Sequence, residues 1–250
     1  DHDTYMAWLT TVSAHMTYIN ASVTGDMYLS LFDNESWPLA GKRYMSKLKI
    51  LDNAIGELLN ELTLSGKLND TVILLYADHY PYGLATSTFS QLAKYDVSNY
   101  GNIDRTPFII YNPELTPTKF TNYTSYMNVL PTIANLFGLD YDPRLYGGYD
   151  LFSNDYPNMV VFADGSWRTD IAYYDAPSGH LTYLGSKQYT DDEVIDINNA
   201  VKNEIAMDNL AITKNYFAYL NEKLHKNFIV SNSSNEYIED ITENELETAE

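Results

Sequence analysis

Residues 71–77, Thr-Val-Ile-Leu-Leu-Tyr-Ala, form an unbroken apolar run that stops at the polar pair Asp78-His79. Seven residues is strand length, and apolar side chains on both alternations need cover on both faces, as in a parallel strand between helical layers. Upstream, Tyr44, Leu48, Leu51, Ile55, Leu58, Leu59 and Leu62 recur at three- and four-residue spacing. That is one apolar stripe on a helix, entered after Trp37-Pro38 and stopped at Gly66. Residues 6–13, Met-Ala-Trp-Leu-Thr-Thr-Val-Ser, are short, apolar and Thr/Val-rich and read as a further buried strand running into His15. Strand, helix and strand in that order predict a βαβ unit, and hence an α/β fold whose mainly parallel sheet is flanked by helices.

The remaining chain continues the alternation. A polar loop is expected over 80–104, then a short strand at 107–111 closed by Asn112-Pro113. Residues 125–137 read as a helix stopped by Gly138, with Pro131 either starting or kinking it. Segments 159–167, 170–175 and 180–185 are separated by Asp-Gly and Pro-Ser-Gly signals and predict a small C-terminal antiparallel sheet. A helical pattern follows over 191–227. From 231 onward the chain is Ser/Asn/Glu-rich without Lys or Arg, the composition of a disordered acidic tail.

Chemistry concentrates at strand ends. In open α/β sheets ligands sit at the carboxyl ends of the strands, which is where Asp78 and His79 stand. A carboxylate beside an imidazole there reads either as a pair of metal ligands or as a solvated strand end with His79 capping a neighbour. His15, just past the first strand, is expected in the same crevice if the strands are parallel neighbours. It either touches an anionic substrate oxygen and moves protons or hydrogen-bonds a carbonyl in its loop. Arg105 pairs with a carboxylate or meets an anion. Asp52 belongs to the solvated edge of its helix, and His2, His180 and His225 have no supporting neighbours. With 34 acidic against 15 basic residues the net charge is −19, a surface that repels nucleic acid and anionic lipid and disfavours a polyphosphate-backbone partner. The absence of cysteine excludes disulfides, thiolate catalysis and zinc–sulfur sites. No apolar run is long enough to span a bilayer.

Taken together, Trp-Leu-Thr-Thr-Val-Ser-Ala-His (8–15), Lys-Leu-Asn-Asp-Thr-Val-Ile-Leu-Leu-Tyr-Ala-Asp-His (67–79), Arg-Thr-Pro-Phe-Ile-Ile-Tyr (105–111), Val-Leu-Pro-Thr-Ile-Ala-Asn-Leu-Phe-Gly (129–138), Asp-Leu-Phe (150–152) and Val-Val-Phe-Ala-Asp-Gly-Ser-Trp (160–167) resemble the lipoteichoic acid synthase-like group. That group lies within the sulfatase/alkaline phosphatase superfamily. The resemblance implies an alkaline phosphatase-like fold and an extracellular, membrane-tethered enzyme. Such enzymes transfer glycerol phosphate from a phosphatidylglycerol-like anionic phospholipid through a threonine nucleophile and one divalent ion, usually Mn2+. It implies that Asp78 and His79 are metal ligands and that His15 contacts substrate as a catalytic residue. No threonine here matches the nucleophile. The chain is therefore expected to be the C-terminal part of the catalytic domain, with half of the metal site and no turnover by itself. Residues 1–190 would be that part, with 156–190 the antiparallel subsheet, 191–230 a helical segment and 231–250 the tail. The membrane anchor is expected outside the chain, on the outer face of a bacterial cell membrane. Ala77 stands where a glycine is common, and Asn128 where many relatives carry an acid. A hydrolase of the same superfamily (sulfatase or phosphodiesterase) and a non-catalytic surface binding domain are the alternative readings.

Overall fold

A computed structural model describes residues 4–141 and 147–224 and divides the chain into two units, parting after Phe120. The first carries a short helix α1 (Val23–Asp26), a 3-10 turn at Leu29–Phe32, the long helix α2 (Leu39–Leu64), strand β1 (Ile73–Tyr76), helix α3 (Thr86–Ala93) and strand β2 (Phe108–Tyr111). Helix α2 begins directly after Pro38 and ends as its sequence predicts. Gly66 takes φ +70°. The Lys67 N–H then reaches the Leu62 carbonyl at 2.8 Å and the Gly66 N–H reaches Thr63 at 3.0 Å, which is a Schellman stop.

The most buried face of α2 is not the apolar stripe but Gly41, Arg43, Ser46 and Lys47. This polar face fastens the loop that precedes it. Arg43 pairs with Asp26 at 2.7 Å and donates to the Ile19 carbonyl. Ser46 Oγ accepts from the Tyr28 N–H at 2.9 Å and donates to the Thr24 carbonyl at 3.1 Å. Lys47 Nζ donates to the His15 carbonyl at 2.6 Å. Each of these buried side chains finds at least one acceptor, and residues 15–28, whose only regular element is the one-turn helix α1, are thereby tied to α2. Gly41 serves the other neighbour: a Cβ there would lie 2.9 Å from Thr88 Cγ2, so only glycine lets α3 approach.

Two expectations are corrected in this unit. Residues 6–13 form no strand. Met6, Trp8, Leu9 and Val12 are each more than two-thirds exposed, and the only aromatic anchor is Trp8, edge-on to Tyr76 at 5.8 Å. A strand needs a neighbour to pair its amides, and the described residues offer this segment none. Second, β1 pairs β2 antiparallel, Ile73 opposite Tyr111 through Tyr76 opposite Phe108. The order strand–helix–strand allows either a crossover or a return, and the connection through α3 returns. The α/β class stands, but no described pair of strands is parallel. The loop expected over 80–104 contains α3.

The second unit starts with a 3-10 turn at Tyr126–Asn128 running into helix α4 (Val129–Leu136). Pro131 sits in the first turn, where no N–H is needed, so it starts the helix and does not kink it. Gly138 at φ +60° closes it. Buried Asn128 uses its amide both ways, donating to Thr124 Oγ1 at 3.1 Å and Tyr156 Oη at 3.0 Å and accepting from the Tyr149 N–H at 2.8 Å. A carboxylate in its place could not donate, which accounts for an amide here. Strands β3 (Val160–Val161), β4 (Trp167–Arg168), β5 (Ala172–Asp175) and β6 (His180–Tyr183) form the expected antiparallel meander. Helix α5 (Asp191–Thr213) opens on a Thr190/Glu193 capping box and is followed, past Asn215 at φ +50°, by α6 (Tyr216–Leu224). Trp167, Ala172 and Val201 join the sheet and α5 in one core. Tyr174 stacks on the Trp167 ring at 5.8 Å, and Trp167 Nε1 donates to Asn198 Oδ1 at 2.8 Å. His225 and the acidic tail expected at 231–250 lie outside the described residues, as does His2.

Within this unit Glu204 and Asp208, one turn apart on α5, line a hollow with Asn128 and Tyr149. Burial, and then the Asp208 charge, raise the Glu204 carboxyl above the ordinary glutamate range. The folded state therefore holds this proton more tightly than the unfolded chain does. Its contribution to stability is fully present below the unfolded value and is lost as pH rises through the folded one. Glu204→Gln should consequently raise the unfolding temperature at pH 7. The gain should vanish as pH falls to about 4, the unfolded glutamate range. Thermal melts across that interval check the sign.

Candidate active-site loops

Strand β1 delivers Asp78 and His79 to a turn at the open edge of the first unit. The Asp78 carboxylate is 81% exposed and the His79 ring 42% exposed, with Nε2 to Oδ2 at 3.6 Å. That spacing is too long for a hydrogen bond, so the two atoms face each other without closing on one another. His79 Nδ1 lies 2.7 Å from the Tyr80 carbonyl, which can only accept. The neutral ring therefore carries its proton on Nδ1 and presents the Nε2 lone pair, the form that ligates metals. Tyr82 leans on the same ring at 4.4 Å and limits its rotation. A lone-pair nitrogen and a carboxylate oxygen side by side suit a divalent ion as a donor set. Among the described residues no group of three or more His, Cys, Asp or Glu side chains gathers as a metal site, so Asp78 and His79 stand as a pair.

His15 is held in the same manner, with Nδ1 donating to the Met16 carbonyl at 2.8 Å and Nε2 left free. It is exposed, and its loop abuts the Asp78–His79 loop. A Cβ on Gly83 would lie 2.9 Å from Tyr18 Cε2 and 3.0 Å from Met16 Cβ, so the backbone of one loop rests on the side chains of the other. Tyr18 is buried at this seam, with its hydroxyl donating to Ala14 at 2.9 Å. Burial, with Tyr44 and Tyr82 beside it, pushes its phenol up to about 12, so it remains a neutral wedge at physiological pH. The two segments touch at Gly83 by loop-on-loop packing and not through parallel strand ends, and the hollow that His15 lines includes neither Asp78 nor His79.

The other candidates fall outside this seam. Arg105 lies over the Tyr95 ring at 5.4 Å. Asp52 pairs with Lys49 on the exposed side of α2. His180 is an exposed residue opening β6 in the second unit. What sequence reasoning missed is Lys47, which reaches the His15 loop from α2. Its signal was present: Arg43, Ser46 and Lys47 stand at i, i+3 and i+4, a polar face of the helix.

Comparison with known proteins supplies the context. Residues 8–139 match the family model described as Sulfatase. The lipoteichoic acid synthase of Staphylococcus saprophyticus is 31% identical over 131 residues, covering 50% of this chain and 20% of that protein. Lipoteichoic acid synthase 2 of Bacillus subtilis is 28% identical over 167 residues, 62% of this chain and 24% of that protein. The chain thus spans about a fifth to a quarter of the length of these curated relatives. The crystal structure of the lipoteichoic acid synthase LtaP from Listeria monocytogenes superposes with a TM-score of 0.62, at 22% identity over 80% of this chain and 52% of that one. That likeness shows the fold, α/β and alkaline phosphatase-like.

Proposed function

The chain belongs to the sulfatase family, and from that premise we propose that it forms part of a metal-dependent phosphoglycerol transferase acting at the outer face of a bacterial membrane. The observation that carries the reading is the Asp78–His79 pair at the end of β1, inside the region that matches the family and beside the His15 loop. The similarity to lipoteichoic acid synthases supports a phosphatidylglycerol-like lipid as donor. No described helix is long and apolar enough to cross a membrane, so in this reading the tether lies in another part of the protein.

Asp78 and His79 would hold the ion, Mn2+ by resemblance, with the carboxylate bringing negative charge and His79 its Nε2 lone pair. A divalent ion there supplies positive charge for phosphoryl oxygens and lowers the pKa of a bound hydroxyl. The Tyr80 carbonyl keeps the His79 proton on Nδ1, and Tyr82 keeps the ring aimed. His15 turns Nε2 toward the ester. As the imidazolium it donates to a non-bridging or leaving oxygen, stabilising the charge that develops as the ester bond breaks.

The test uses the full-length protein on phosphatidylglycerol vesicles. Diacylglycerol formation and the fate of the phosphoglycerol group are followed with chelator and after return of Mn2+. The reading expects diacylglycerol, phosphoglycerol on a glycerol-containing acceptor, and loss of both under chelation. Release of free glycerol phosphate alone would make the protein a hydrolase of the same family. Turnover indifferent to chelator would remove the metal from the account.

A further inference from the structure

Lys47 is the least explained charge in the first unit. It is only 6% exposed. Of its three basic companions on α2, Arg43 has Asp26 and Lys49 has Asp52, while the partly exposed Lys42 donates to the Asp33 carbonyl. Lys47 pairs with no carboxylate among the described residues. One of its three N–H donors goes to the His15 carbonyl at 2.6 Å, and Nζ stands 5.6 Å from the centre of the Tyr18 ring. A buried ammonium without a counter-charge is costly, and two donors are left over. The space beside it is an open hollow of about 400 Å³ lined by Val12, Ser13, His15, Met16, Thr24 and Lys47. In a chain with 34 acidic residues, no carboxylate lines this hollow. The basic residues among its lining are Lys47 and His15.

We propose that this hollow is an anion subsite in which Lys47 supplies the counter-charge for a phosphate-ester oxyanion, with His15, Ser13 and Thr24 as further hydrogen-bonding groups. The proposal rests on the function argued above and names a residue that the Asp78–His79–His15 reading does not use. Lysine suits the task because it acts as a compact point charge with several donors. Its firm bond to the His15 carbonyl also fixes where that charge sits.

The experiment titrates the full-length protein with inorganic phosphate, glycerol 1-phosphate and glycerol, by calorimetry, with chelator present so that no metal contributes. Wild type should bind the two anions and not glycerol, with affinity falling as salt rises. Tighter binding of glycerol 1-phosphate than of phosphate points to a lipid headgroup as the source, and equal binding to free phosphate. Lys47→Met, which keeps the shape and removes the charge, should weaken both anions about tenfold or more. Lys47→Arg should recover most of the loss. A measurement on wild type needs no variant to fold: the His15 ring resonance should shift saturably with either anion while that of His180 stays put. Unchanged anion affinity in Lys47→Met, or a His15 resonance that ignores both anions, overturns the proposal. If chelator-sensitive transfer persists while anion binding is absent, the subsite alone falls. If anion binding is intact and transfer does not depend on metal, the function reading falls and the subsite stands.

Discussion

His79→Ala in the full-length protein is expected to cut phosphoglycerol transfer by about a hundredfold or more at limiting manganese, and excess manganese should restore part of it. The substitution removes the Nε2 lone pair that the Tyr80 carbonyl holds outward. A weakened site is refilled by mass action, so the defect belongs to metal affinity first and rate second. His15→Ala should behave differently. Its ring is anchored to the Met16 carbonyl and, among the described residues, forms no ion pair with Asp78, which faces His79 instead, so metal affinity should stay near wild type. The rate should fall by about a hundredfold, the usual cost of one lost transition-state donor, and added metal should not help. Normal activity of His79→Ala at limiting manganese would end the metal assignment. Rescue of His15→Ala by metal would move His15 into the metal site.

The largest stability effect is expected at Trp167. Trp167→Ala empties the centre of the second unit, where the ring is fully buried between Tyr174 and Tyr189. The cavity costs about 3–5 kcal/mol. Asn198 also loses the indole N–H at 2.8 Å, a further cost of about 1 kcal/mol or more for a stranded acceptor. Against a domain stability of about 5–15 kcal/mol, that is enough to lower the urea midpoint of this unit severely or abolish its folding. Trp8→Ala is the control: Trp8 is 71% exposed, and its loss should stay within about 0.5 kcal/mol. Equal midpoints for the two variants would mean that the core centred on Trp167 is not what holds the unit.

Much of this architecture could be read from local signals. The stripe from Tyr44 to Leu62 and the glycine at 66 mark α2 at both ends, because periodicity and a left-handed stop are properties of the chain itself. The same holds for α4 with Gly138 and for the meander with its Asp164-Gly165 turn. The failures share a cause. Whether 6–13 is a strand depends on a pairing partner, and whether β2 runs with β1 or against it depends on the path of the connection. Neither is a local property. Helix α3 was hidden because Thr-Ser-Thr-Phe-Ser-Gln-Leu-Ala looks like loop composition. Its buried contact is made by Thr88 methyl against Gly41, not by an apolar stripe. Asp78 and His79 stand out as candidates because a polar pair ends an apolar run. Their meeting with the His15 loop runs through Gly83 on Tyr18 and Met16, a contact between distant segments with no sequence periodicity. Lys47 stands on the polar face of α2, which the apolar stripe does not mark.

Pulsed electron paramagnetic resonance on the full-length protein loaded with Mn2+ tests the claim that Asp78 and His79 form part of a metal site. The account predicts a histidine-nitrogen coupling to the manganese that disappears in His79→Ala and persists in His15→Ala. A coupling that survives in His79→Ala, or a manganese signal with no histidine nitrogen in wild type, would contradict it.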